Sequence, residues 1–143
     1  MLVAAVAAVL MWVVAWTLPA LNLALVGREA AAAVAAVLGI AAAVAGVAEF
    51  RRSRTTLNPL RPNSASSPAA GGIYRFSRNP MYLGFALALL GWGIYRSNPA
   101  ALAVLFASVA YMNRFQIIPE EKSLEALFGA EFAVYRAKVG RWI

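Results

Sequence analysis

The sequence predicts an all-α, polytopic integral membrane protein: four transmembrane helices and two short cytosolic helices at the C-terminal end. Three observations carry this. Of 143 residues, 62% are hydrophobic and only 13% charged, about half the charged share of a soluble domain. Mean hydropathy is +0.69. Uncharged stretches near the length that a helix needs to cross hydrocarbon alternate with short segments that hold the charge.

Residues 2–26 form the first predicted span and contain no charge. Their length and the lack of a basic start argue against a cleaved signal peptide. Pro19 is expected to kink this helix, with neighbouring helices covering the freed carbonyl. Residues 30–48 form the second span. Its Ala35, Gly39 and Ala43 recur every fourth residue, as do Ala42 and Gly46. That spacing suits close helix packing, and an Ala-rich composition produces it equally. Residues 80–95 and 97–118 form the third and fourth spans, joined at Arg96, Ser97 and Asn98, with Pro99 opening the next helix. Their short uncharged runs suggest a hairpin that sits shallowly or thins the bilayer.

The loop 51–79 begins with a Pro-, Ser- and Gly-rich linker over residues 51–72, where no regular element is expected. The tail, 119–143, starts a helix at Pro119 with Glu120 and Glu121 in its first turn. Gly129 stops that helix, and a second follows with Phe132, Tyr135 and Val139 on one face. Both should lie against the membrane surface or the spans. The whole chain, 1–143, reads as one membrane domain.

Ten basic residues fall in the long loop and the tail, against only Arg28 and Arg96 in the other two connections. The positive-inside rule then places the loop, the tail and both termini in the cytoplasm. The net charge of +7 is accounted for by topology and contact with anionic lipids, not by nucleic acid.

All six acids are Glu, and Asp, His and Cys are absent. This excludes disulfides, thiolate nucleophiles, Ser-His-Asp triads and the usual transition-metal sites. What remains is Glu, Arg, Lys, Tyr, Ser, Asn and backbone chemistry, or a cofactor with its own reactivity.

Two segments are unlike the rest: GIYRFSRNPMYLG (72–84) at the mouth of span three and RFQIIPEEKSL (114–124) at the mouth of span four. A tight turn joins these spans, so the mouths must be neighbours. A cationic and aromatic cluster then faces a carboxylate pair at the membrane boundary, making a polar pocket with an apolar side entrance. Arg75 reads as a positive-inside anchor. Glu121 and Glu125, four apart, read as a solvated face. Glu120 lies within about 30° of the centre of the Leu124, Leu127 and Phe128 stripe. A carboxylate on a buried face needs an arginine or a ligand.

Residues 72–143 resemble the C-terminal half of the isoprenylcysteine carboxyl methyltransferase family, itself related to the phospholipid N-methyltransferases. The shared residues are Gly72, Tyr74, Arg78, Pro80, Tyr82 and Gly84, then Asn98 and Pro99. They continue with Glu120, Glu121, Leu124, Phe128, Gly129, Phe132 and Tyr135, and the closing VGRWI with Val139 and Arg141. The resemblance implies S-adenosylmethionine as cofactor, held by Tyr74, Arg78, Asn79, Pro80, Met81, Tyr82 and Glu120. The segment Ser66–Ala69 stands where the family also touches the cofactor. The implied acceptor is lipophilic and membrane-borne: a lipidated protein, an isoprenoid acid, a phospholipid amine or a hydrophobic thiol. An acceptor amine or thiol must lose a proton, and Glu120 is the candidate base.

Two residues depart from the family pattern: Asn79 stands for a histidine and Gln116 for a substrate-associated arginine. Arg114, about 160° away from Gln116 round a helix, is the nearest cation and the second candidate catalytic residue. Two rivals remain: a nicotinamide-dependent membrane reductase of similar architecture, and a non-catalytic membrane protein that kept the fold.

Overall fold

The computed structural model describes residues 1–52 and 71–143. Most of the linker, including Ser66–Ala69, lies outside the described residues. Among these described residues six α-helices follow in order: α1 (Leu2–Thr17), α2 (Arg28–Arg52), α3 (Pro80–Arg96), α4 (Pro99–Met112), α5 (Ile118–Phe128) and α6 (Ala130–Lys138). No strand occurs among the described residues.

The first helix stops at Thr17 instead of continuing to residue 26. Pro19 ends it rather than kinking it. Proline has no N–H to donate and drives the residue before it out of the helical region. Leu18 accordingly sits at φ −119°, ψ 59°. A 3₁₀ turn, Pro19–Leu21, and irregular chain then lead to α2.

The tail departs from expectation in the opposite sense. No break occurs at Pro119: α4, a π-helical turn over Asn113–Ile117 and α5 form one helical run, Pro99–Phe128. The Ile118 N–H bonds back to the Asn113 carbonyl, five residues away. The wider turn lets the helix pass a proline that cannot make the next regular bond. Gly129, at φ 51°, then separates α5 from α6.

Helix α2 packs backbone to backbone on α3. A Cβ added at Gly84 would stand 2.5 Å from the Gly39 carbonyl oxygen and 2.7 Å from the Ala43 Cβ. One at Gly91 would stand 2.7 Å from the Ala32 carbonyl. The small residues of α2 are thus a packing seam, beyond what its composition alone required. Helix α1 closes the other side. Its Ala7, Met11 and Ala15 form a core with Leu89 of α3 and Ala101 and Leu105 of α4, and Trp92 Nε1 donates to the Ala8 carbonyl at 3.1 Å.

The α3–α4 turn is locked by Asn98, which is fully buried. Its Oδ1 accepts from the Ala100 and Ala101 N–H groups, capping α4, while Nδ2 donates to the Leu18 carbonyl and Asn22 Oδ1. The end of α1 is thereby tied to the hairpin.

Two helices, α2 and the run Pro99–Phe128, are long and apolar enough to cross a membrane, and little of either is buried inside the protein. Val34, Val37, Leu38, Ile40 and Val44 of α2 all point outward. A core helix of a soluble protein would bury them, so these side chains suit a lipid solvent. Helix α1 is apolar but shorter.

Candidate active site

The site lies where α2 ends and α3, α5 and α6 converge. A 3₁₀ turn, Gly72–Arg75, lies against the end of α2. Gly72 has φ 52°, and a Cβ there would stand 2.7 Å from a Glu49 carboxylate oxygen, so only glycine admits this approach. Tyr74 follows, buried, and its carbonyl accepts a 2.7 Å hydrogen bond from the Tyr135 hydroxyl of α6.

The chain after α6 returns as a strap across this turn. The Arg78 N–H donates to the Gly140 carbonyl at 3.0 Å. Asn79 Nδ2 donates to the Arg141 carbonyl at 3.1 Å. Asn79 therefore spends its amide on the strap and does not cap α3 with its side chain. Pro80 opens α3 at a position that needs no donor.

Beneath the strap lies an ion cluster. Glu121 is buried at 7% exposure. Arg141 grips it with two bonds, Nε to Oε1 at 3.1 Å and Nη2 to Oε2 at 2.7 Å. Arg141 Nη1 also donates to Asn113 Oδ1 in the π turn. Arg78 Nη1 approaches Glu121 Oε1 at 3.0 Å. The Glu121 carboxylate hydrogen-bonds and raises the affinity of Arg141 for its proton; burial opposes this more weakly.

Glu121 was expected on a solvated face and Glu120 on a buried one; the structure reverses them. The apolar stripe of α5 does not enter a protein core. Leu124, Leu127 and Phe128 line a cavity. Glu120 shares their face and so opens to that cavity, where Tyr82 donates to its Oε2 at 3.2 Å. Glu121, one residue on, turns toward the arginines.

The cavity is about 310 Å³. Tyr74, Arg78, Asn79, Pro80, Met81, Tyr82 and Glu120 all line it, together with Phe50, Phe132 and Tyr135. Burial first, then the Glu120 and Glu49 carboxylates, push the Tyr74 hydroxyl up to about 12. Burial is also the main reason Tyr135 rises to about 12. Both phenols are neutral at physiological pH and act as donors, not bases.

A second, more apolar groove of about 590 Å³ adjoins the cavity. Ala43, Val44, Val47 and Phe85 line it, and it shares Met81, Tyr82 and Glu120 with the first.

Arg114 is the one candidate that the structure does not bring to either space. It is exposed on the π turn, with its guanidinium 5.7 Å from the Phe115 ring centre. Gln116 lines neither space as well. Arg141 and Asn113 were not singled out for the site. The usable signal was charge balance: an arginine in the closing VGRWI offers the partner that a buried glutamate must find.

The phospholipid methyltransferase family matches residues 28–131, from α2 to the start of α6 and across most of the cavity wall. The chain belongs to that family. Relatives of this phospholipid methyltransferase-family chain include the protein-S-isoprenylcysteine O-methyltransferase of Saccharomyces cerevisiae, 36% identical over 69 residues, which are 48% of this chain and 29% of the yeast protein. Protein-S-isoprenylcysteine O-methyltransferase B of Arabidopsis thaliana is 29% identical over 104 residues, 72% of this chain and 52% of the plant protein. An uncharacterized protein of Haemophilus influenzae is 40% identical over 63 residues, 44% of this chain and all of that protein. The chain thus matches about half or less of the length of these two methyltransferases. No solved structure matches it. Family membership and the outward apolar helices together mark a membrane protein of a methyltransferase family.

Proposed function

We propose that this chain transfers a methyl group from S-adenosylmethionine to a lipophilic, membrane-borne acceptor. The observation that carries this reading is the junction of the two spaces. A cavity walled by the motif residues opens beside an apolar groove, and the two share Met81, Tyr82 and Glu120. The cavity suits the cofactor and the groove suits the acceptor.

The residues present fit the cofactor. Phe50, Tyr74 and Phe132 offer aromatic surface for the adenosine, Glu120 offers an acceptor for its amino or hydroxyl groups, and Arg78 is a buried cation on the cavity wall. S-adenosylmethionine supplies a methyl group already activated by its sulfonium. The chain's residues therefore bind, orient and exclude water. For an amine or thiol acceptor, Glu120 takes the departing proton, since it stands at the shared boundary. The absence of His, Cys and Asp is no obstacle to this chemistry.

The apolar stretches are read as four spans, α1 to α4, with both termini and the site in the cytoplasm. Single cysteines at Glu29 and Lys138 test this in a chain without native Cys. Labelling of position 138 from inside and of position 29 from outside is expected; the reverse pattern rejects the orientation.

The activity is tested by calorimetry on the purified chain in detergent, with S-adenosylhomocysteine and with NADPH, followed by radiolabelled methyl transfer to farnesylated cysteine, phosphatidylethanolamine, an isoprenoid acid and a lipophilic thiol. Binding of the first nucleotide and label on one acceptor class are expected. Binding of NADPH alone would favour the reductase; binding of neither would favour a non-catalytic protein.

A further inference from the structure

We propose that Arg51 determines which acceptor the apolar groove takes: its guanidinium holds the head of a single-chain lipophilic acid beside the boundary with the cavity. This deepens the proposed function and rests on it.

The groove is apolar along most of its length and charged at one end. Ala43, Val44, Val47 and Ala48 of α2 form one wall, and Phe85 of α3 adds to it. Val44 points outward, so the groove is open to lipid. Gly46 marks the level of the boundary, because a Cβ there would stand 3.3 Å from the Met81 nitrogen. Arg51 follows in the last turn of α2, about 7.5 Å further along the helix. It is the one side-chain cation among the described residues lining the groove. It is exposed, and no carboxylate of the described residues lies within ion-pair distance of it.

No other element supplies this charge. Arg114 and Gln116 line neither space, and Arg78 lines the cavity but not the groove. The helical run Pro99–Phe128 brings the groove a negative group instead, Glu120. Without Arg51 an acidic head at the boundary would face only a carboxylate. Arg51 and Arg52 suit the C-terminal end of a helix and the aqueous edge of a membrane equally well. The two differ in facing. Arg51 continues the face of Val44 and Val47, whereas Arg52, about 100° round the helix, does not line the groove.

A carboxylate fits this arrangement. It is ionised at neutral pH, and its two oxygens match the planar fork of a guanidinium. The apolar chain behind it suits the lipid-facing wall. Such an acceptor needs no base. Its oxygen gains the methyl group as the sulfur–carbon bond of the donor breaks, the carboxylate and sulfonium charges cancel, and no proton moves. The ester that results is neutral and loses the ion pair with Arg51, so it is held less tightly than the acid.

The test uses farnesoic acid and its methyl ester, which differ in the charge of the head. Tritiated methyl ester is bound to the detergent-solubilised chain in a scintillation proximity assay and displaced by either unlabelled compound. The acid should displace it from the native chain at a concentration at least about tenfold lower than the ester does, the scale of a hydrogen bond to a charged group. Arg51→Gln should bring the two within about twofold and leave the ester's own affinity unchanged. Arg51→Lys should narrow the gap less, keeping the charge and losing the fork. Arg52→Gln, equal in charge removed, should leave the gap as it is. A gap that survives Arg51→Gln, or that both glutamine variants narrow equally, would overturn the assignment, the latter by showing a general surface-charge effect. Stronger displacement by phosphatidylethanolamine than by the acid, or no saturable binding of the ester to the native chain, would overturn it too. In each of these cases S-adenosylhomocysteine binding, measured by calorimetry on the same preparation, would leave the proposed function standing; failure of the native chain to bind that nucleotide would overturn the function and this assignment with it.

Discussion

Glu121→Gln is expected to destabilise the fold by about 3 kcal/mol, the scale on which a buried ion pair loses one partner. The substitution keeps the shape and removes the charge. It leaves Arg78 and Arg141 facing each other across a neutral amide, with Arg78 nine-tenths buried. The amide carries no charge to balance the two guanidinium groups, and its NH₂ opposes the fork of Arg141. The strap should loosen as well, because Arg141 joins α5, the π turn and the start of α3. Thermal unfolding in detergent reads this directly. Glu125→Gln is the control: its pair with Arg136 is about half exposed on both sides, so its loss should cost well under about 1 kcal/mol. Equal melting temperatures for the two variants would show that the buried cluster does not hold the tail.

Glu120→Gln should do the opposite, weakening ligand binding and sparing the fold. Among the described residues Glu120 has one side-chain hydrogen bond, from Tyr82, and it opens to the cavity. A glutamine can still accept from that hydroxyl. The lost charge should weaken S-adenosylhomocysteine by about 1.5–3 kcal/mol, the value of a hydrogen bond to an ionised group. Calorimetry and thermal unfolding on the same preparation test both halves. Unchanged affinity would remove Glu120 from the site, and a melting temperature lowered as far as that of Glu121→Gln would make it structural.

The contrast between these adjacent carboxylates shows how far local pattern carries. Helical periodicity correctly put Glu120 on the face of Leu124 and Phe128. It could not say what lay opposite that face. A stripe facing a cavity and a stripe facing a core have the same spacing, and only the position of α3 and α6 distinguishes them. The small residues of α2 were ambiguous for the same reason: four-residue spacing becomes a packing seam only when Gly84 of α3 arrives at Gly39. Pro19 and Pro119 carry identical backbone chemistry, yet one ends a helix and the other is bridged by a π turn. At Pro19 the chain is free to leave, with Asn98 holding the Leu18 carbonyl. At Pro119 the residues on both sides are fixed, by Met112 and Ile117 in the core and by Glu121 in the cluster.

By itself the sequence determined that the chain is helical and apolar enough for a membrane, that its chemistry excludes His, Cys and Asp, and that one end of the hairpin collects the polar motif. Those properties are local: composition, hydropathy and residue type are written residue by residue. The tertiary structure alone decided which glutamate is buried, that Arg114 stands away from the cavity, and that Arg141 returns from the far end of the chain to hold Glu121. Each of these depends on groups more than ten residues apart meeting in a low-dielectric space, where a charge must find its partner. The chain order that brings Arg141 within 2.7 Å of Glu121 leaves no periodic trace in the sequence.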